Sequence, residues 1–208
     1  MLAVVDILHP VEVRVLGALL EKDITTPEYY PLTLNSLQNA CNQKSSRDPI
    51  VSYDEDTIVQ ALDLLRNKQL VLRISGAGHR VEKYAHRLGE KLNLGRRELA
   101  LLCVLMLRGP QTVGELRGRT ERMHDFTDLE EVERCLEMLE RTEPEPLVAR
   151  ASRGRWMHLF GGSAEPANEP EAAPQLTARS GLEERVTALE REMEQLKQQF
   201  EGFRRQFE

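Results

Sequence analysis

The chain has 208 residues, of which 40% are hydrophobic and 30% charged, and its formal net charge is −6. The length suits two small domains plus an extension, and the composition is that of a globular protein. The longest apolar run, residues 99–107, is too short to span a bilayer. The negative net charge argues mildly against an obligate nucleic-acid binder, since such proteins are usually basic. Residues 161–208 hold ten acidic against six basic residues, so the rest of the chain is nearly neutral.

The same succession of elements is predicted twice along the chain. An apolar-striped helix, a shorter helix and a longer acidic helix are followed by two strands around a glycine turn. The first copy places them at 10–22, 32–41, 54–68 and 70–88, and the second at 96–107, 112–120, 128–141 and 147–160. Three helices ending in a hairpin are typical of a winged helix. We therefore predict a mainly α fold with small β-hairpins (α+β), with winged-helix domains at 1–92 and 93–160.

Helix starts are predicted from capping patterns. Ser52 and Glu55 have the spacing of a capping box that would open the third helix of the first repeat. Thr112 and Glu115 have the same spacing before the second helix of the second repeat.

The composition changes after residue 160. Residues 161–181 are rich in proline, alanine and glutamate, which predicts a disordered linker. Residues 182–208 then space apolar side chains by alternating steps of four and three, which predicts a coiled-coil helix that self-associates, most simply as a dimer. A trimer or docking on another protein stays open. The predicted oligomerisation seam consists of Leu182, Val186, Leu189, Met193, Leu196, Phe200 and Phe203, with Phe207 continuing it.

Two long segments, residues 21–52 and 101–126, resemble the YceH-like family of largely uncharacterised bacterial proteins. The resemblance extends over roughly residues 8–160 and includes Tyr84-x-His86 and Trp156-x-His158 at the strand ends. It implies a tandem winged-helix fold, in agreement with the repeat, and no reaction, substrate or cofactor. It does not cover the linker or the heptad segment.

Little in the sequence indicates catalysis. The cysteines are three and widely spaced in apolar helical stretches, which predicts buried, reduced thiols in a cytoplasmic protein. The start of the chain lacks the basic region of a signal peptide. His86 and His158 recur beside aromatic residues but have no partner at ligand spacing, so we expect structural histidines. We expect no enzyme activity, no metal and no cofactor.

Cations in three kinds of segment are candidates for phosphate contact. One kind is the loop at 42–49, another the two hairpins, and the third the short helix of the second repeat. An ordered turn that satisfies its own backbone, or a salt-bridged surface, would explain the same residues. The candidate nucleic-acid-binding residues are Lys44, Arg47, Arg80, Lys83, Arg117, Arg119, Arg153 and Arg155.

The predicted third helices are acidic, which disfavours ordinary reading of the major groove. Asp54-Glu55-Asp56 opens one, and the other carries six carboxylates between 128 and 140. Our leading hypothesis is nonetheless a tandem winged-helix regulator of transcription or chromosomes that binds double-stranded DNA and dimerises through its coil. The alternative is an adaptor that binds a protein partner through the acidic helices. Neither hypothesis involves a membrane.

Overall fold

The computed structural model describes residues 7–75 and 81–162, and within them one order of elements occurs twice. The first repeat consists of α1 (Pro10–Thr25), β1 (Leu32–Thr33), α2 (Leu34–Cys41), α3 (Glu55–Asn67), β2 (Val71–Ile74) and β3 (Lys83–His86), followed by a short α4 (Leu88–Leu92). The second consists of α5 (Arg96–Arg108), β4 (Gln111–Thr112), α6 (Val113–Thr120), α7 (Leu129–Glu140), β5 (Val148–Arg150) and β6 (Arg155–His158). A mainly α fold with small antiparallel hairpins is thereby confirmed.

Each repeat closes with a three-stranded antiparallel sheet rather than with a hairpin alone. The orders are β1-β3-β2 and β4-β6-β5, so a two-residue strand lies along the outer side of each second hairpin strand. Tyr84 pairs with Leu32, and Trp156 pairs with Gln111 in the equivalent place. The strands β1 and β4 cannot be predicted from the sequence, because two residues cannot show the alternation that identifies a strand.

One of the two predicted capping boxes forms. The Thr112 hydroxyl accepts from the Glu115 amide at 3.2 Å, and the Glu115 carboxylate accepts from the Thr112 amide at 2.9 Å. The box predicted at Ser52 was wrong. Asp54 is the N-cap of α3 instead, and its carboxylate accepts from the Thr57 amide at 2.8 Å. A carboxylate caps at least as well as a serine hydroxyl, and here it lies next to the first helical residue.

The two repeats share one hydrophobic core. Residues 7–162 fall within a single compact unit, and α1 packs along α5. Each of these helices is buried on nearly all sides, over residues 12–20 and 100–107, because one face covers its own repeat and another covers the partner helix. The predicted boundary between residues 92 and 93 marks the end of the first repeat, and the core continues across it.

Several predictions concern residues that lie outside the described part of the chain. The wing turn at 76–80, which includes Arg80, is one of them. The predicted linker beyond residue 162 and the whole heptad segment, 182–208, are the others. No helix among the described residues is long and apolar enough to cross a membrane.

Candidate nucleic-acid interface

Arg47, a predicted phosphate contact, is instead buried in the loop between α2 and α3. Its side chain has no exposed area, and its guanidinium makes a two-pronged ion pair with Glu21 at 2.6 and 3.0 Å. It also donates to the Ala40 carbonyl at 2.9 Å and to Gln43 Oε1 at 3.0 Å. Its donors are occupied and shielded from solvent, so we remove Arg47 from the candidate set.

The pair of Arg47 and Glu21 joins the loop to the end of α1. Burial raises the pKa of Glu21, but the hydrogen bond and charge of Arg47 outweigh it and leave the pKa below its usual range. Arg14, also buried, donates to the Cys41 and Pro49 carbonyls at 3.2 and 2.6 Å and so supports the same loop from α1. The two arginines therefore position the loop rather than bind a ligand.

The loop has an ordered backbone and one exposed cation. The Asn42 side chain donates to the Tyr53 carbonyl and accepts from the Tyr53 amide, both at 2.8 Å. The Asp48 amide donates to the Leu107 carbonyl at 2.9 Å, which fixes the loop against the end of α5. Lys44 is exposed and makes no ion pair with another described residue. It is the part of this loop that can reach a phosphate.

The cations of α6 have partners within the protein. Arg117 donates to the Phe126 and Thr127 carbonyls at 3.2 and 3.1 Å, which ties α6 to the loop before α7. Arg119 lies 3.5 Å from Glu115 one turn earlier, and about a third of its side chain is exposed. Arg117 therefore has a structural role, whereas the Arg119 pair is weak enough to exchange for a ligand.

The hairpin cations differ in whether they already have partners within the protein. Arg153 is exposed in a tight turn with φ 57°, and Lys83 is half-buried on β3. Neither makes an ion pair with another residue in the described part of the chain. Arg155 donates to the Pro110 carbonyl at 2.9 Å and lies 3.6 Å from Glu115, which leaves it partly occupied.

The exposed face of α7 is acidic, as the sequence predicts, and a wing arginine lies beside it. Arg150 approaches Glu133 and Glu137 at 3.9 and 3.8 Å, and its guanidinium carbon lies 4.5 Å from the centre of the Trp156 ring. Met138 on the same helix is 58% exposed. This face combines carboxylates with an exposed apolar side chain, and the wing arginine beside it is already paired.

His86 and His158 occupy equivalent positions but have different surroundings. The Leu88 amide donates to His86 Nδ1, so the proton lies on Nε2, which is 3.1 Å from Asp23 Oδ2. The His158 ring has no partner at Nδ1, and burial lowers its pKa to about 4. Among residues 7–75 and 81–162, no group of three potential ligands could hold a metal ion.

The cysteines are free thiols in the core. Cys41, Cys103 and Cys135 are all buried, as predicted from their apolar surroundings. Burial raises the pKa of the Cys41 and Cys135 thiols to about 12, so neither is a ready nucleophile.

A cavity of about 170 Å³ between the two repeats is the feature that the sequence analysis did not find. It is lined by the end of α1, the loop between α2 and α3, the end of α5 and the end of α6. Four cations border it: Lys22, Arg108, Arg119 and Arg122. They are up to 100 positions apart in the chain. Only the packing of α1 on α5 brings them together, and the sole sequence signal was the cluster around Arg119.

These features describe a duplicated three-helix protein with small sheets and cations distributed over loops, turns and one cavity. Residues 8–155 match a family model described as "Protein of unknown function, DUF480", and the chain belongs to that family. A UPF0502 protein of Solibacter usitatus is 53% identical over 205 residues, or 97% of this chain and 98% of the relative. A UPF0502 protein of Serratia proteamaculans is 46% identical over 92% of both chains. The predicted resemblance to an uncharacterised bacterial family is confirmed, and the comparisons give its members the names DUF480 and UPF0502.

Proposed function

We propose that this protein is a non-enzymatic, cytoplasmic regulator that binds double-stranded DNA through two winged-helix domains. The order of helices and strands in each repeat supports this proposal, because it matches the order typical of a winged helix, with β1 and β4 in the place of its short first strand. The hairpins and the loop before α3 would then lie along the phosphate backbone.

The observation that carries this proposal is the position of three cations that form no ion pair among the described residues. Lys44 lies in the loop before α3, Lys83 on the first hairpin and Arg153 at the turn of the second. Each of these segments is one that a winged helix can bring to a phosphate, and none of the three makes an ion pair among the described residues. Contact through wings and loops also avoids the acidic third helices.

The revised contact set is smaller than the predicted one. Lys44, Lys83 and Arg153 remain as primary contacts, and Arg119 and Arg155 can join by exchanging weak pairs. So few phosphate contacts bind weakly at physiological salt. Self-association through the predicted heptad segment would place four domains on one duplex and compensate by raising the effective concentration.

An adaptor function is the second candidate, because the acidic helix faces carry exposed apolar residues. Leu64 on α3 is 43% exposed next to Asp63, and Met138 on α7 is 58% exposed next to Glu137. These positions are equivalent in the two repeats. A partner with a basic rim and an apolar centre would match both faces.

The test is a titration of fluorescent random-sequence duplex DNA with the full-length chain at several salt concentrations. We expect salt-sensitive binding that weakens in Lys44→Glu and Arg153→Glu, with a log–log salt slope shallower by about one per lost contact. Arg134→Glu is the control for the change in net charge, since Arg134 lies on α7 near Glu130 at 3.9 Å and is not one of the proposed contacts.

Absence of binding at low salt, or equal loss in all three variants, would contradict the DNA proposal. The adaptor hypothesis would then be tested. The double variant Glu133→Lys, Glu137→Lys should fail to capture a protein partner that the parent chain captures. Sedimentation of the chain with Leu189→Asp and Leu196→Asp separately measures whether the heptad segment holds the oligomer together.

A further inference from the structure

The cavity between the repeats has a strongly cationic border and a lining of polar and apolar side chains. The cations that border it are Lys22, Arg108, Arg119 and Arg122, and the nearly buried Val104 and Leu107 also belong to its lining. At about 170 Å³ it is comparable to the apolar cavities of about 150 Å³ that accommodate a benzene-sized molecule.

The charges around this cavity do not cancel. Among the described residues, Glu21 is the one carboxylate that lines the cavity, and it already forms a two-pronged ion pair with the buried Arg47. Lys22 lies 3.5 Å from the same carboxylate, so it shares a charge that is already neutralised. Arg108 and Arg122 make no ion pair among the described residues. Burial, and then the nearby Arg119 and Arg47, lower the pKa of Arg108, as expected where positive charge is in excess.

Helix ends account for part of this excess and not for all of it. The C-terminal ends of α1, α5 and α6 all lie at the cavity, and each contributes about half a negative charge. Together they offset roughly one and a half of the four cations. The remainder requires either solvent counterions or a bound anion.

We propose that this cavity binds a compact molecule that carries a phosphate group, held by Arg108, Arg119 and Arg122. A guanidinium group can donate two parallel hydrogen bonds to two oxygens of one phosphate. A doubly negative phosphate also balances the remaining positive charge of the cavity better than a singly negative carboxylate does. The hydroxyls of Thr25 and Ser45, which also line the cavity, add polar groups beside it.

The polar lining distinguishes two sources of the phosphate. Free inorganic phosphate would use the arginines alone, whereas the organic part of a phosphomonoester would also contact polar lining side chains such as Ser45. Because α1 and the loop belong to the first repeat and α5 and α6 to the second, the ligand would bridge the repeats and stabilise their packing. This inference does not depend on DNA binding.

The experiment measures thermal unfolding and calorimetric binding of the full-length chain with inorganic phosphate, with glycerol 3-phosphate, and with potassium chloride at equal ionic strength. We expect a saturable rise in Tm, on the order of 5 °C at a hundredfold excess over Kd, with the phosphates alone. Tighter binding of glycerol 3-phosphate would identify an organic ligand, and equal binding would identify free phosphate.

Variants locate the site. Arg108→Gln and Arg122→Gln should each weaken binding by about tenfold or more, because each removes a charge-assisted hydrogen bond. Arg134→Gln, on α7, should bind as the parent does. Arg122 is exposed and unpaired among the described residues, so Arg122→Gln is expected to fold even if Arg108→Gln does not.

A Tm rise no larger than that with chloride, or one that persists in Arg122→Gln, would overturn the proposal. So would loss of DNA binding in Arg122→Gln without any phosphate effect, since the cations would then belong to the DNA interface. Phosphate binding by a chain that binds no DNA would leave this inference standing and remove the proposed function.

Discussion

Gly17 and Cys103 occupy equivalent positions in the two repeats and meet where α1 crosses α5. The Cys103 Sγ lies 3.6 Å from the Gly17 carbonyl oxygen, although 86 positions separate the two residues. A Cβ atom at position 17 would lie 3.0 Å from Leu107 Cδ2 and 3.2 Å from Met106 Cβ. The absence of a side chain at Gly17 is therefore what lets the two repeats share one core.

A large side chain at Gly17 should separate the repeats. We expect Gly17→Leu to lower the free energy of unfolding by about 1–3 kcal/mol or more, as overpacking does in close-packed cores. Denaturant titration measures the change. Gly118→Leu is the matched control, because a Cβ there meets nothing within 4 Å on the exposed side of α6. Equal destabilisation of the two variants would contradict the importance of the crossing.

Loss of one partner of the buried ion pair should cost more than loss of an exposed pair. Arg47→Met leaves Glu21 without its buried counter-ion, for which we expect about 3–5 kcal/mol of destabilisation. Adding Glu21→Gln removes the stranded charge and should restore part of that loss. Arg66→Gln breaks an exposed pair with Asp63 and should cost about 1 kcal/mol or less. If Arg47→Met unfolds as the parent does, the pair has no structural role.

The Asn42 amide should support the loop before α3. It makes two hydrogen bonds to the backbone of Tyr53. Asn42→Ala removes both, and we expect about 1–3 kcal/mol of destabilisation and faster hydrogen exchange at the Tyr53 amide. Asn39→Ala, which removes an exposed bond to Asn35, should have a smaller effect. Unchanged exchange at Tyr53 in Asn42→Ala would show that the loop is held by other contacts.

His158 should make the protein less stable as the pH falls. Its pKa is about 4 in the folded chain, against about 6.5 for an exposed imidazole, so the unfolded chain binds the extra proton first. Between pH 6.5 and 4 the contribution reaches about 3 kcal/mol of destabilisation, and below pH 4 it stays constant. His158→Phe should flatten the pH dependence of Tm across that window. Parallel profiles for the variant and the parent would exclude the assignment.

Most of the secondary structure could be predicted because its signals are local. The capping box of Thr112 and Glu115 and the apolar spacing of α1 both depend on residues within a few positions of one another. The prediction at Ser52 was wrong for a local reason too, since Asp54 is an equally good cap two residues later.

The candidate site was harder to predict, as Lys44 and Arg47 illustrate. They lie three residues apart in one polar loop, and sequence reasoning treated both as phosphate contacts. The fold leaves Lys44 exposed and buries Arg47 against Glu21, which is 26 positions earlier. The packing of a loop against the rest of the protein decides which of its cations stays exposed and free of a partner. The composition of the loop does not show how it will pack.

By itself, the sequence determined the repeat, the helices and hairpins, the burial of the cysteines and the acidic face of α7. These follow from periodicity, caps and composition, which act between near neighbours. Only the tertiary structure decided the union of α1 with α5, the short strands β1 and β4, and the cationic cavity. Those features form only when residues as distant in sequence as Gly17 and Cys103 come into contact. The free energy of that contact comes from burial of apolar surface, and the local sequence pattern does not show which two apolar surfaces will pack together.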